Sequence, residues 1–206
     1  MKHAARALGL LLCVLGIAAL AAGPDDTPPV FAPAQFGTHP GSLVDRLRMP
    51  DQVPGGDFDV VVLCQVHVYD NGSFGSAWCA PPIDSGTQTF HAEMMRALSG
   101  ARFLPARIGG AGTGVIMPSM GRFRCAAGIC TVEFRPNLGV HQAEFGPAYS
   151  APQIIASDAR PAIEVPGTVA SPDLSGLESL SFIPGFVNGQ AVSMRWFGML
   201  LYRVGR

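Results

Sequence analysis

The sequence predicts an α+β fold in which small antiparallel sheets carry helices packed on one face. Residues 60–69 alternate between two faces and lead into Asn71–Gly72, which is typical of a β-hairpin. Residues 90–98 place apolar side chains at helical spacing. The pattern of residues 103–124 returns at 182–203 without a gap, so the sequence also predicts that one supersecondary unit is used twice.

Each copy of this repeat begins with an aromatic residue and a proline that enter an extended segment, and a glycine turn and a strand follow. Proline disfavours helical geometry in the residue before it, so the preceding helix must end before the aromatic residue. Glycine supplies the positive φ that a tight turn needs. The alternative is that two unrelated strands share a common type of loop. The motif residues are Phe103, Pro105 and Gly110 in the first copy and Phe182, Pro184 and Gly189 in the second.

Residues 1–22 have the layout of a secretory signal peptide. Basic residues open the segment, an apolar run fills its middle and small residues end it. The apolar run is shorter than the ~20 residues that span a bilayer comfortably, which favours cleavage over a retained anchor. We therefore expect a periplasmic or secreted protein, with membrane contact only if this segment is retained.

Composition divides the rest of the chain into three parts. Residues 23–56 are rich in Pro and Gly and predict a linker. Residues 57–125 hold the first predicted sheet-and-helix module. Residues 126–206 hold a second, divergent module, in which a helix is predicted to begin at Ser171.

Charge excludes one broad class of partner. The full chain has 14 basic and 15 acidic residues, a net charge of -1, and no basic cluster. Nucleic acid is therefore not an expected partner. The high apolar content permits a packed core and disfavours disorder outside the N-terminal segment.

Cysteine usage predicts two disulfides. Cys13 lies in the predicted signal peptide, so the mature chain keeps four cysteines, which is an even number in an exported protein. Three pairings are possible, and the first choice joins Cys64 to Cys79. The remaining pair, Cys125 and Cys130, brackets a short loop between two predicted strands.

The first choice follows from the register of the hairpin. If Asn71–Gly72 is a two-residue loop, counting outward brings Cys64 opposite Cys79. This pair then falls at a hydrogen-bonded site, where the backbones are widely spaced. A β-bulge near Gly75 would relieve that spacing.

Candidate catalytic and metal-binding groups are few. In the predicted register His67 lies across from Ser76 and near Asp70, but no nucleophile elbow or oxyanion device surrounds them. Cys64, His67 and Cys79 lack a fourth ligand for a structural zinc site. We therefore predict a non-enzymatic protein with no metal and no cofactor.

Residues 62–123 combine alternating valines and the Asp70–Gly72 turn with a helix that contains Ala97–Leu98. They continue into Phe103–Ala106, a glycine turn and a closing strand at 115–123. This order of features resembles the C-terminal domain of TonB-type energy transducers, and the repeat suggests a second, degenerate copy. The Tyr-Pro pair that precedes the first strand in that family is absent here.

The resemblance implies a three-stranded antiparallel sheet with helices on one face, whose free edge pairs with a segment of an outer-membrane receptor. An edge strand is a ready template for an added strand. We therefore expect a periplasmic protein that binds an envelope protein or peptide at the edge of the first module or in a groove between the modules. The alternatives are an anchored energy transducer for outer-membrane transport and an exported small hydrolase.

Overall fold

A computed structural model of the protein describes residues 30–156, 163–165, 180–197 and 202–204. The architecture is α+β, as the sequence predicts, with mostly antiparallel strands and short helices. No helix in the described part of the chain is long and apolar enough to cross a membrane. The predicted signal peptide, residues 23–29 of the predicted linker and the helix predicted from Ser171 lie outside the described residues.

The secondary structure of the described residues is dominated by short strands. In chain order the elements are β1 (Phe31–Ala32), α1 (Leu43–Arg46), β2 (Phe58–Val68), β3 (Phe74–Cys79), α2 (Gln88–Ser99), β4 (Ala106–Ile108), β5 (Ala111–Thr113), β6 (Val115–Ala126), β7 (Ile129–Arg135), α3 (Gln142–Phe145), β8 (Tyr149–Ser150), β9 (Gln153–Ile155), β10 (Ile163–Val165), β11 (Phe182–Ile183), β12 (Gly185–Val187), β13 (Gln190–Val192) and β14 (Tyr202–Val204).

The largest sheet has the strand order β11-β9-β6-β2-β3. One side of β6 pairs with β2 along the whole length of β2. The other side is shared, because residues 115–116 pair with β9 and residues 120–126 pair with β7. The boundary predicted between 125 and 126 therefore falls at the β6–β7 hairpin, inside a single sheet.

The core lies between one face of this sheet and α2. The alternation predicted for β2 is observed, since Val62, Cys64, Val66 and Val68 are buried while Leu63, Gln65 and His67 are partly exposed. The ring of Phe90 on α2 lies between two rings of the sheet, 5.2 Å from Phe58 and 5.1 Å from Phe123. The apolar stripe predicted for α2 is fully buried and consists of Phe90, Met94, Ala97 and Leu98.

The described part of the predicted linker is packed against this core. Ala34, Phe36 and Leu43 are buried in the core cluster. Ser42 begins α1 by accepting a hydrogen bond from the backbone N–H of Asp45, which caps the helix. These residues of the predicted linker are part of the folded domain, because apolar side chains spaced among prolines and glycines pack in the core.

The β2–β3 hairpin has a three-residue loop, so the predicted two-residue loop is wrong. The N–H of Gly72 donates to Tyr69 O and the N–H of Tyr69 donates to Ser73 O, which leaves residues 70–72 as the loop. Gly72 has a φ of 80°, and a Cβ there would collide with the Phe103 carbonyl oxygen. Only glycine fits at this position.

The structure contains the disulfide predicted between Cys64 and Cys79. A register shift makes Gly75 an extra residue in β3, as expected for the predicted bulge, and the two cysteine Cα atoms lie 3.9 Å apart. The N–H of Ala80 donates to Leu63 O, so the adjacent cysteine pair is of the closer, non-hydrogen-bonded type. The prediction of a widely spaced, hydrogen-bonded site is therefore wrong, because loop and bulge together change the ladder.

The second disulfide joins Cys125 to Cys130 near the tip of the β6–β7 hairpin, with Cα atoms 4.0 Å apart. Ala127 and Gly128 form the turn and have φ angles of 51° and 78°. A two-residue turn of this kind matches the twist of the strands that it joins. The cysteines again face each other across a regular ladder.

The repeated segment forms the same hairpin twice. In the first copy Ala106 pairs with Thr113, and in the second copy the equivalent Gly185 pairs with Val192. Both turns, Gly109–Gly110 and Asn188–Gly189, have positive φ at both residues. The motif residues Pro105 and Pro184 directly precede the first strand of each hairpin.

A third strand makes the repeat larger than the sequence predicts. Strand β1 pairs with β4, and β8 pairs with β12 at the equivalent positions. We call residues 31–36 with 102–113 the first repeat. Residues 149–154 with 181–192 form the second repeat.

Candidate functional site

Strand β3 forms one edge of the largest sheet. Because Cys64 and Cys79 form a non-hydrogen-bonded pair, the N–H and C=O groups of Cys79 and of Ala77 point away from β2. No strand among the described residues pairs with this side of β3. These outward groups are the ones that an added strand would bond.

The free edge of β3 is short, because other parts of the structure limit it at both ends. Ser73 forms a bridge with Arg102, which covers the start of the strand. The bulge at Gly75 interrupts the ladder, and the disulfide of Cys79 fixes the far end. Short, bulged edges resist indiscriminate pairing, so this edge favours a short and specific segment.

Side chains of distinct chemistry flank the edge on the two faces of the sheet. On the helix face, Cys79 Sγ lies 3.4 Å from Met95 Sδ. On the opposite face, Trp78 is half-buried in a row with Gln65 and Pro118. An added strand would therefore meet a thioether on one face and an indole on the other.

The opposite edge of the β3-β2-β6 sheet is occupied by the protein itself. Strand β7 covers the C-terminal half of β6 and β9 covers its N-terminal end. Of the two edges that a three-stranded sheet offers, only that of β3 is open in the described structure. Within this three-stranded unit, the outer side of β3 is thus the one that no described strand pairs with.

Strand β7 offers a second open side among the described residues. By the alternation from the Cys125–Cys130 pair, the backbone groups of Val132 and Phe134 point away from β6. The Phe134 ring packs edge-on against Phe36 with centroids 4.1 Å apart. Arg135 on this strand is held by an ion pair with Glu133.

A cleft of about 390 Å³ lies where the two repeats meet, bounded by residues 34–38, Pro136 and residues 147–150. Its wall is fixed by Tyr149, whose hydroxyl oxygen accepts a hydrogen bond from the His141 N–H at 3.2 Å. Burial raises the pKa of Tyr149, so this phenol stays protonated at neutral pH. The cleft is lined mainly by apolar and backbone groups, without a catalytic arrangement.

A charged pocket of about 410 Å³ lies beside α2 and has a structural explanation. Glu93 accepts hydrogen bonds from Arg96 Nε at 2.7 Å and from the Arg48 backbone N–H at 2.9 Å. The hydrogen bond from Arg96 lowers the pKa of Glu93. This network ties the segment after α1 to the helix.

Two of the three candidate catalytic residues, His67 and Ser76, lie on the face of the sheet opposite α2. His67 lies opposite Ser76 in the register, and its ring centroid is 4.8 Å from that of Tyr69. Asp70 lies beyond the end of the strand, in the hairpin loop. In the described part of the chain no group of three His, Cys, Asp or Glu residues could hold a metal ion.

Sequence reasoning missed Gln153, a buried polar residue that joins the two repeats. Its Nε2 donates to Ala34 O and its Oε1 accepts from the Ala34 N–H, both at 2.9 Å. A signal was available, because an aromatic residue, a proline and a glutamine follow in the same order in residues 31–36 and 149–154. The spacing between these segments differs from that between the hairpins, so a comparison at one offset hides it.

The first predicted module contributes three strands to the largest sheet and a helix that packs on it. Strands β3, β2 and β6 form an antiparallel sheet, and α2 packs on one face. Comparison of the chain with models of known protein families, with curated proteins and with solved structures finds no match.

Proposed function

We propose that this is an exported, non-enzymatic binding protein that accepts an extended segment of another envelope protein on the edge of β3. The observation that carries the proposal is the pair of outward-facing residues Ala77 and Cys79, whose backbone groups lack a strand partner in the described structure. Strand addition uses such groups for affinity and neighbouring side chains for specificity. The resemblance to the TonB C-terminal domain makes a receptor peptide the expected partner.

The two disulfides support the cellular setting of this proposal. Disulfides persist in oxidising compartments and are rare in the reducing cytosol. Both cysteine pairs lie in the main sheet, and Cys79 is part of the edge itself. The disulfide therefore holds the binding edge in shape in the compartment where the partner is found.

Main-chain bonds alone would give weak binding at this edge. Two residues offer two N–H and two C=O groups, and each hydrogen bond contributes about 0.5–1.5 kcal/mol before the cost of ordering the partner. Trp78 is the large side chain beside these groups, and indoles often dominate interface energetics. We therefore assign the main specificity contact to Trp78.

The test compares two proline variants. Ala77→Pro removes an N–H that points away from β2, so the ladder between β2 and β3 is kept. Val132→Pro makes the same change on the outward side of β7 and serves as the matched control. Each protein is used to capture partners from an envelope extract, and the captured protein is then purified and added back for hydrogen exchange.

We expect Ala77→Pro to lose the partner and Val132→Pro to retain it. In the unchanged protein, the partner should slow amide exchange at Ala77 and Cys79, whose N–H groups lack a strand partner in the described structure. Retention by Ala77→Pro, or binding without added protection at these two amides, would reject strand addition at β3. Loss only with Val132→Pro would move the site to β7.

A further inference from the structure

The second repeat shows how its sheet face binds a polypeptide segment. Gln153 and Ile183 are paired in the ladder, so their side chains lie on the same face, and both are 0% exposed. The Gln153 side chain bonds both backbone groups of Ala34, as a neighbouring strand would. A glutamine side-chain amide thus forms two hydrogen bonds with the backbone of one residue in the bound segment.

The first repeat carries the same pair in an open setting. Gln35 and Leu104 exchange both backbone hydrogen bonds, at 3.0 and 2.8 Å, in the register of Gln153 and Ile183. Leu104 is 46% exposed and Gln35 is exposed as well. Within the described residues, no hydrogen bond reaches the Gln35 side chain.

We propose that Gln35 and Leu104 form a second binding site, for an extended, uncharged peptide segment that presents a small residue after proline. The side-chain amide of Gln35 bonds the N–H and C=O of that small residue, and Leu104 supplies apolar contact beside it. The template is internal: the backbone of Ala34, which follows Pro33 in the sequence, occupies the equivalent site on the second repeat. This surface is separate from β3, so the inference does not depend on strand addition there.

The equivalent segments of a second copy do not satisfy this site. The residue of the second repeat that is equivalent to Ala34 is Pro152, which has no backbone N–H to donate. Ala34 itself is 1% exposed, since its backbone is already bonded to Gln153. Neither of these two segments of a second copy can therefore occupy the site.

The probe is a peptide with the sequence of residues 30–36, acetylated and amidated at its ends. It is titrated to about 1 mM, a range that detects weak binding, into the isotope-labelled protein by NMR. We expect the side-chain amide signals of Gln35 to shift, and Gln35→Ala to weaken the affinity about tenfold through loss of two hydrogen bonds. Ala77→Pro, which breaks only the β3 edge, should bind the probe unchanged.

Two matched controls keep the test specific. Gln52→Ala removes another exposed glutamine and should leave the affinity unchanged. A probe methylated on the backbone nitrogen of the residue equivalent to Ala34 should not bind, because the N–H is gone. No shift of Gln35 by the unmodified probe, equal binding by Gln35→Ala, or a shift that depends only on protein concentration would overturn the proposal.

Discussion

The two repeats share a backbone register and differ in what covers them. Gln153 and Ile183 of the second repeat are fully buried, whereas the equivalent Gln35 and Leu104 of the first repeat face outward. The ladder is the same in both because turn chemistry and strand pairing set it locally. Burial is decided by neighbours, so one motif serves as an internal contact in one place and as an open surface in the other.

The insertions within the repeats also differ. Residues 37–101 separate the two parts of the first repeat and contribute β2, β3 and α2, which form a large part of the core. Residues 155–180 separate the two parts of the second repeat. The two parts of the first repeat therefore flank the segment that contains β2, β3 and α2. The second repeat contacts the first through Gln153.

The largest expected effect comes from Ile183→Ala. A fully buried isoleucine leaves a cavity when truncated, so we expect a loss of about 2–5 kcal/mol in the free energy of unfolding. Leu104→Ala, the same change on the open repeat, should cost within about 0.5 kcal/mol. Urea denaturation of both variants measures the difference, and equal losses would show that the two faces are buried alike.

The next effect is expected from Gln153→Ala. The change leaves the buried N–H and C=O of Ala34 without partners, at about 1–3 kcal/mol for each unsatisfied group, so we expect a loss of at least about 2 kcal/mol. Gln35→Ala should change the unfolding free energy by no more than about 0.5 kcal/mol. Equal losses of unfolding free energy in Gln153→Ala and Gln35→Ala, measured by urea denaturation, would contradict the difference between the two repeats.

The smallest effect is expected from Glu93→Gln, which lies in the segment inserted in the first repeat and alters how stability depends on pH. The pKa of Glu93 is lowered mainly by its hydrogen bond with Arg96, so this carboxylate stabilises the fold fully above its ordinary pKa of 4.5. The contribution is lost as the pH falls through the lowered value. Glu93→Gln should reduce stability at pH 7 and flatten this part of the acid dependence of unfolding; an unchanged acid profile would contradict it.

Local rules predict much of this fold. The alternation in β2, the stripe on α2 and the glycine turns all follow from periodicity and backbone geometry. The pairing of Cys64 with Cys79 was also predictable, although by a register whose details differ. These features depend on residues that are close in sequence.

The remaining features depend on contacts between distant segments. In the three-residue loop, the Gly72 carbonyl accepts a hydrogen bond from the N–H of Phe103, thirty-one positions away. No local sequence pattern predicts that contact. The burial of Phe36 and Leu43 likewise depends on the core beside them. For the candidate sites, sequence patterning suggests an edge strand, but only the observed pairing of β6 with β7 and β9 shows that the β6 side of the three-stranded unit is covered.

Strand β6 is bordered on both sides by the rest of the chain, and this has a consequence for dissecting the protein. A fragment that stops after Cys125 would lose β7 and β9 together and would bare a long row of unsatisfied amides and carbonyls. Such a row invites other chains to dock along it. The strands of the C-terminal half thus protect β6 from pairing with other chains. We expect the isolated N-terminal half to aggregate more readily than the whole protein.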